Sequence, residues 1–269
     1  MKRIELEELK SIQVEILSKV HNFCVKNNIR YSLTAGTLLG AIRHKGYIPW
    51  DDDIDIAMPR PDYDRFLNSF NGVYPDSYVI APELNWNFYA PYANVCDNRT
   101  IVYESSNGHR GIDMGIKIDI FPIDGVPSDY PLYMSKLKRI QFINKILWGK
   151  RFEMNQSHNL NFTTSLKILA AKALFSFRSY ASYQKELNKI ARCCPFEISN
   201  YAHTWVFSAI ENRFKREIFE EFVSVQFEGG TYIAIKDYDV WLTALYQDYM
   251  ELPPIEQRVA HHHFAAYWR

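Results

Sequence analysis

No window of eighteen residues is both uncharged and apolar, and the first ten residues, MKRIELEELK, show neither the apolar core nor the small-residue cleavage site of a secretory signal. The expectation is a cytoplasmic protein without a membrane span. Cysteine is scarce: Cys24, Cys96, Cys193 and Cys194 make no C-x-x-C pair, and adjacent Cys193 and Cys194 are poorly placed to bridge one another. That spacing signals neither a zinc site nor a disulfide framework and leaves reduced, mostly structural thiols. A surplus of one charge is missing too, because 31 Lys plus Arg balance 31 Asp plus Glu. A duplex-DNA binder held by phosphate contacts needs a basic surplus, so nucleic acid is not an expected partner. Internal repeats and low-complexity tracts are also absent.

What is present is ample material for a core. The chain has 269 residues, 47% of them hydrophobic and 23% charged, with 17 Phe, 6 Trp and 18 Tyr, which describes a folded chain rather than a disordered one. The zero net charge is a sum of opposed parts. From Asp129 to Arg192 there are twelve Lys or Arg against three acids, an excess of +9, so the remainder carries −9. This basic stretch mixes Lys and Arg with Leu, Ile, Phe and Trp in two predicted helices, 131–151 and 163–192, separated by NQSHNLNFTT. Basic amphipathic helices lie on anionic membrane, so peripheral contact at the inner face of the cytoplasmic membrane is an expectation.

Periodicity predicts a helix over 4–26 from Leu9, Ile12, Ile16, Val20 and Phe23, stopped at Asn27 and Asn28. A strand over 30–35, a turn at Gly36-Thr37 and a short helix over 38–44 follow. A second strand is expected over 53–57, with Pro61 opening a helix through Phe70. Ile116, Ile118 and Ile120 alternate with Lys117, Asp119 and Phe121, which predicts a strand with one core face and one working face, ended by turn chemistry at Pro122, Asp124, Gly125 and Pro127. Toward the C-terminus the pattern suggests a helix at 212–222, a strand pair over 223–235 and a helix over 240–249.

The sharpest feature is Trp50-Asp51-Asp52-Asp53-Ile54-Asp55-Ile56. Alternation puts Asp51, Asp53 and Asp55 on one side, where three carboxylates repel unless a cation neutralises them. Hard oxygen ligands suit Mg²⁺ or Mn²⁺, which such sites share with substrate phosphate. A calcium EF-hand loop is excluded, because counting from Asp51 puts Ile56 where Gly is required and Asp62 where Glu is required. Upstream, Ala35-Gly36-Thr37 opens a helix whose first amides could cradle phosphate, and Arg43, His44 and Lys45 leave that helix beside the acids. Asp119 is a candidate third carboxylate, fit to hold metal or to orient or deprotonate a hydroxyl. Asp124 reads as a turn former.

The run TAGTLLGAIRHKGYIPWDDDIDIAMPRPDYDRF, with IDIFPIDGVP downstream and YMELPPIEQR near the end, resembles the LicD family of phosphocholine transferases, which includes the LicD-like domains of fukutin-type proteins. The resemblance follows most of the chain in order and is weakest over 129–210. It implies an α+β, nucleotidyltransferase-like mixed sheet flanked by helices, as one domain over 1–269 with 129–192 as a basic helical insertion. In it, Gly36 and Thr37 match the Gly-Gly/Ser signature, Asp53 and Asp55 the metal pair, Asp119 the third acid, and Asp51 a further retained acid. Donor phosphate is expected at Gly36, Thr37, Arg43 and Lys45, and Arg258, His261 and His262 are candidate substrate contacts. Two departures stand out: Tyr246-Gln247-Asp248-Tyr249 where members often show Tyr-Gly-Asp-Tyr, and Ile233-Ala234-Ile235-Lys236 where a Pro-containing strand end is usual.

The resemblance implies Mg²⁺-dependent transfer of phosphocholine from CDP-choline, or of a related CDP-alcohol, to a hydroxyl of a cell-envelope glycan such as lipopolysaccharide, teichoic acid or capsule, releasing CMP. Choline would call for aromatic faces, for which Trp86, Tyr89, Tyr92, Trp241 and Trp268 are candidates. Two other readings remain open at this level. One is a nucleotidyltransferase that takes a nucleoside triphosphate and releases pyrophosphate. The other is a non-catalytic glycan- or choline-binding module.

Overall fold

The computed structural model describes residues 1–104, 114–151, 177–206, 211–258 and 264–269, with 163, 166, 169, 173 and 175 singly between them. Its helices are α1 (Leu6–Lys26), α2 (Ala35–Arg43), α3 (Arg60–Ser69), α4 (Tyr130–Arg151), α5 (Tyr180–Ala191) and α6 (Tyr238–Tyr246). Its strands are β1 (Arg3–Ile4), β2 (Ser32–Leu33), β3 (Asp55–Pro59), β4 (Ser77–Ile80), β5 (Ala93–Asp97), β6 (Thr100–Glu104), β7 (Lys117–Val126), β8 (Tyr201–His203), β9 (Phe214–Lys215), β10 (Phe222–Phe227), β11 (Gly230–Ile235) and β12 (Phe264–Trp268). The fold is α+β, as expected.

The central sheet runs β2-β3-β7-β5-β4, and β8 and β9 extend it from the far half of β7. Only β3 and β7 pair in parallel; the other neighbours are antiparallel. A parallel central pair covered on both faces reads as near-continuous apolar sequence. Accordingly Ile56, Ala57 and Met58 of β3 and Ile118, Ile120 and Ile123 of β7 are all buried. Helices α1, α2 and α3 pack on this pair or its neighbour β5. In α1 the predicted stripe Leu9, Ile12, Ile16, Val20 and Phe23 is the buried one, with Glu7 and Glu8 in the first turn and Lys26 in the last, matching the helix dipole. The β10–β11 hairpin lies against α2 and β2, and β1, β12 and β6 form a small separate sheet.

A second apolar cluster gathers Tyr133, Leu137, Ile140, Ile143 and Ile146 of α4 with Tyr183 and Leu187 of α5, against Val126 and Trp205. The first predicted basic helix is thus present. Of the second, 180–191 is described as a continuous helix, while 152–162 and most of 163–176 lie outside the described residues. All four cysteines are free. Among the described residues no helix is long and apolar enough to cross a membrane.

Three expectations change. The 212–222 segment is not a helix: Phe214 pairs with Ala202, and only Arg216–Phe219 make a 3-10 turn. Phe214 and Phe219 instead pack around Trp241, with ring centroids 4.8 and 5.6 Å away, and that burial overrides helical charge spacing. Asp124 is not in a turn. It lies inside β7, 1% exposed, in a bidentate pair with Arg60 (Nε–Oδ1 2.6 Å, Nη2–Oδ2 2.9 Å). Gly125 beside it serves close approach rather than a turn, since a Cβ there would lie 2.7 Å from the Cys194 carbonyl oxygen. The polar side of β7 is also no open surface. Asp119 and Phe121 are both buried, Phe121 against Tyr92 with ring centroids 4.4 Å apart.

Candidate active site

The acid run enters the sheet differently from the expected strand. Only Asp55 belongs to β3; residues 51–54 precede it as an extended lead-in, yet the alternation survives, with Asp52 and Ile54 buried and Asp51, Asp53 and Asp55 half-buried. The lead-in brings one carboxylate oxygen each of Asp51, Asp52 and Asp53 within 4.8 Å of one another. Asp52, set on the opposite side by strict alternation, therefore joins the cluster. Its backbone carbonyl is held by Gln13 Nε2 at 3.1 Å, and the Gln13 Oε1 accepts from the Tyr47 hydroxyl at 2.8 Å. Parallel register sets Asp55 directly opposite Asp119, and antiparallel register sets Asn94 of β5 opposite Asp119 on the other side. Neighbourship of β3 and β7 thus gathers the four predicted metal candidates, Asp51, Asp53, Asp55 and Asp119, into one electrostatic unit.

Within that unit the acids act on one another. Burial, then the charge of Asp53 and a hydrogen bond shared with it, pushes Asp51 up to about 7. Asp55 is driven well above the usual carboxylate range by burial, then by Asp53, Asp119 and Asp51. Lys117, two residues from Asp119 on the same side of β7, is in contact with its Oδ1. Burial opposes the Lys117 charge, but the charge of Asp119, together with Tyr89, Tyr92 and the hydrogen bond to Asp119, outweighs it and holds the ammonium well above its usual range. Asn94 Nδ2 donates to the same Oδ1 at 2.6 Å, and the Tyr89 hydroxyl donates to Asn94 Oδ1 at 3.2 Å. Clustered carboxylate oxygens make a donor set that fits a hard divalent cation such as Mg²⁺ or Mn²⁺.

Gly36 and Thr37 sit where expected, in the first turn of α2 against the acids. Thr37 Oγ1 accepts from the Asp55 backbone N–H at 2.8 Å. A Cβ on Gly36 would come 2.6 Å from Asp51 Oδ2, so only glycine lets this carboxylate lie at the positive end of the helix. Ala35, at φ +45°, takes a left-handed conformation to start the turn. Thr34 provides no side-chain cap, its hydroxyl oxygen accepting instead from Trp241 Nε1 at 3.1 Å.

Of the predicted basic residues, Arg43 faces the C-terminal segment: Nη1 donates to the carbonyls of Tyr249 (2.6 Å) and Glu251 (3.0 Å). Burial, then the like charge of Arg258, draws Arg43 down from its usual range, which places the two guanidiniums near each other. Arg258 also lies over the Trp50 ring, 5.6 Å from its centroid, next in sequence to Asp51. Lys45 is not brought to the acids; its exposed Nζ turns back to the Ile42 carbonyl at 3.1 Å. His261 and His262 lie outside the described residues.

Tyr246 was not singled out by spacing, yet it belongs here. Burial of its hydroxyl, then Asp55, Asp51 and Asp53, raises its pKa, while Arg43 pulls the other way. Gln247 follows at φ +58°, in the region glycine favours. Of the aromatic candidates, Tyr89 and Tyr92 stand beside Asp119, whereas Trp241 is buried behind α2. Trp86 lies near Lys185 and Trp268 near Arg99.

Comparison with known proteins gives a family model described as LicD/FKTN/FKRP, nucleotidyltransferase domain, which matches residues 28–147. The lipopolysaccharide cholinephosphotransferase LicD of Haemophilus influenzae is 32% identical over 277 aligned residues, covering 99% of this chain and 99% of that protein. An uncharacterised protein of Rickettsia typhi is 42% identical over 67 residues, or 24% of this chain and 22% of its own length. An uncharacterised protein of Rickettsia prowazekii is 48% identical over 48 residues, 18% of each chain.

Proposed function

Given that the chain belongs to the LicD family, we propose that it transfers phosphocholine from CDP-choline to a hydroxyl of a cell-envelope glycan and releases CMP. The observation that carries this reading is the gathering of Asp51, Asp53, Asp55 and Asp119 into one mutually interacting acid unit against the N-terminal turn of α2. In this reading these four acids hold Mg²⁺, with the Asp52 carboxylate beside them. Bound there, the ion supplies charge neutralisation for the donor diphosphate. Gly36 and Thr37 present backbone N–H groups to a phosphate oxygen, and Arg43 and Arg258, near each other, supply positive charge for the outer phosphate. Asp119, held by Lys117 and Asn94, orients the acceptor hydroxyl and takes its proton at a carboxylate oxygen. Tyr89 offers a ring face to the trimethylammonium, while the Tyr92 ring behind it is buried against Phe121. No covalent intermediate on the protein is needed, since phosphoryl transfer is catalysed mainly by positioning and electrostatics.

Phosphorus NMR of the reaction tests this directly. Wild-type protein with Mg²⁺, CDP-choline and deacylated lipopolysaccharide should give CMP and a new phosphodiester resonance. Release of pyrophosphate from a nucleoside triphosphate would support nucleotide transfer instead, and binding of CDP-choline without turnover would point to a binding module. CDP-glycerol and CDP-ribitol, run alongside, rank the donors.

For membrane contact we propose one surface. The outer face of α4 carries exposed Leu132, Phe142 and Trp148 beside exposed Lys138 and Lys145, while Arg139 pairs with Glu186 of α5, and Phe177, three residues before α5, is 82% exposed. We place this face on anionic lipid, with the rings in the interface and the cations on head groups. The protein should co-sediment with phosphatidylglycerol vesicles at low salt, and the bound fraction should fall steeply by about 0.5 M salt. Phe142→Ser with Trp148→Ser should release it at any salt. Equal sedimentation with phosphatidylcholine vesicles would remove the idea.

A further inference from the structure

A groove of about 580 Å³ opens between residues 211–214 and α6, its apolar side formed by Phe214, Val240 and Ala244 and its polar side by Glu211, Asn212, Arg213, Asp239 and Thr243 with Tyr130, and the mechanism above leaves it unused. We propose that this groove seats the saccharide of the acceptor, an inference that takes its occupant's identity from the transfer reading.

The lining selects among ligand chemistries. Two carboxylates, Glu211 and Asp239, oppose a phosphate or nucleotide. A quaternary ammonium is disfavoured as well, because the Arg213 guanidinium already stands 5.4 Å from the Tyr130 ring centroid and would repel a second cation. Arg213 is fixed there by donating Nη1 to the Pro127 carbonyl at 2.7 Å. What remains is a neutral polyol: acceptors at Glu211 and Asp239, mixed donors and acceptors at Asn212 and Thr243, a donor at Arg213, and a half-exposed aromatic ring at Tyr130 to pack on sugar C–H faces.

The groove also points at the acid unit. Asp239, Thr243 and Tyr246 follow at i, i+4 and i+7 on α6 and so share one helical stripe. Seven residues at helical rise span about 10 Å, so a sugar at Asp239 and Thr243 can send a neighbouring residue's hydroxyl toward Tyr246, whose phenol feels Asp55, Asp51 and Asp53. The two regions are tied mechanically too. The Tyr249 hydroxyl donates to Asp239 Oδ1 at 2.7 Å, while the Tyr249 carbonyl accepts from Arg43.

The test uses the full chain, Thr243→Trp to fill the groove and Asn212→Ala to remove an amide. Both side chains are exposed, so neither change threatens the core, and melting curves check this. Deacylated Haemophilus influenzae lipopolysaccharide is titrated calorimetrically, and transfer from CDP-choline is followed as KM for that acceptor. The expected result is a loss of saccharide affinity and a rise in acceptor KM of about tenfold or more, with CDP-choline affinity and CMP release to water unchanged. Wild-type protein that binds no saccharide, or variants that bind it as tightly as wild type, overturn the groove. If wild type releases no CMP from CDP-choline but its saccharide binding is still lost in both variants, the groove stands and the transfer reading falls.

Discussion

Asp53→Asn and Asp55→Asn are each expected to lower transfer by about three orders of magnitude, with the far-ultraviolet circular dichroism unchanged. Asparagine keeps the shape and removes a charge from a set whose purpose, in the proposed mechanism, is to hold a divalent cation against a diphosphate. Loss of one well-placed electrostatic group costs on the order of 10²–10³ in rate, and loss of the cation costs more. The same substitutions should stabilise the metal-free protein, because the acids repel. Asp51 is the gauge: its carboxyl stands at about 7 in the folded chain against an ordinary 3.8. A carboxyl raised on folding adds stability that is full below about pH 4 and is lost as pH climbs through 7. In EDTA the melting temperature should therefore fall between pH 5 and pH 8, and Asp53→Asn should flatten the fall by removing the largest neighbouring charge. Mg²⁺ or Mn²⁺ at a hundredfold above its dissociation constant should restore about 2.7 kcal/mol in wild type, more visibly at pH 8 than at pH 5. A melting temperature indifferent to divalent cation, with Asp53→Asn fully active, would falsify the metal assignment.

What could be seen in advance divides along a physical line. Periodicity found α1, α2, α3 and α4 within a few residues, because a helix writes its buried face into local spacing. The same local logic found Asp51, Asp53 and Asp55 and put Lys117 on the side of Asp119. Partners supplied by tertiary neighbourship left no local trace. Asn94 reaches Asp119 only because β5 is the antiparallel neighbour of β7, and Tyr246 reaches the acids only through the docking of α6 near α2. Pro122, Asp124 and Gly125 carry the local chemistry of a turn. Their real reasons are nonlocal: an arginine 64 residues away and a neighbouring backbone that leaves no room for a Cβ. The one signal for Asp124 lay in the register. Asp55 and Asp119 are 64 apart, and so are Arg60 and Asp124, five residues further along the same parallel pair.

That shared offset gives the Arg60–Asp124 pair a role in the site and yields the second large effect. Pro59 pairs with Ile123, so the ion pair closes the far end of the ladder whose near end sets Asp55 against Asp119. Arg60 also reaches Glu83 Oε1 at 3.1 Å, and Arg192, next after α5, binds Asp64 at 2.6 Å and lies near the same Glu83 oxygen, so the network holds α3 and the end of α5 to the paired strands. Burial opposes the Arg60 charge, but Asp124, then Glu83, outweighs it and raises the guanidinium pKa further. Arg60→Met should therefore strand a carboxylate that is 1% exposed and cost about 3–5 kcal/mol, on the order of 10 °C in melting temperature. Arg60→Met with Asp124→Leu should recover most of that loss, since two apolar side chains replace the pair without an orphaned charge. Activity separates stability from register. At 25 °C, with both variants still folded, Arg60→Met should lower kcat more than it raises the KM for donor, because a loosened β3–β7 end spreads the spacing of Asp55 and Asp119 rather than removing a donor contact. If Arg60→Met melts within about 2 °C of wild type, Asp124 has found another partner, and the ion pair neither pins the register nor supports the site.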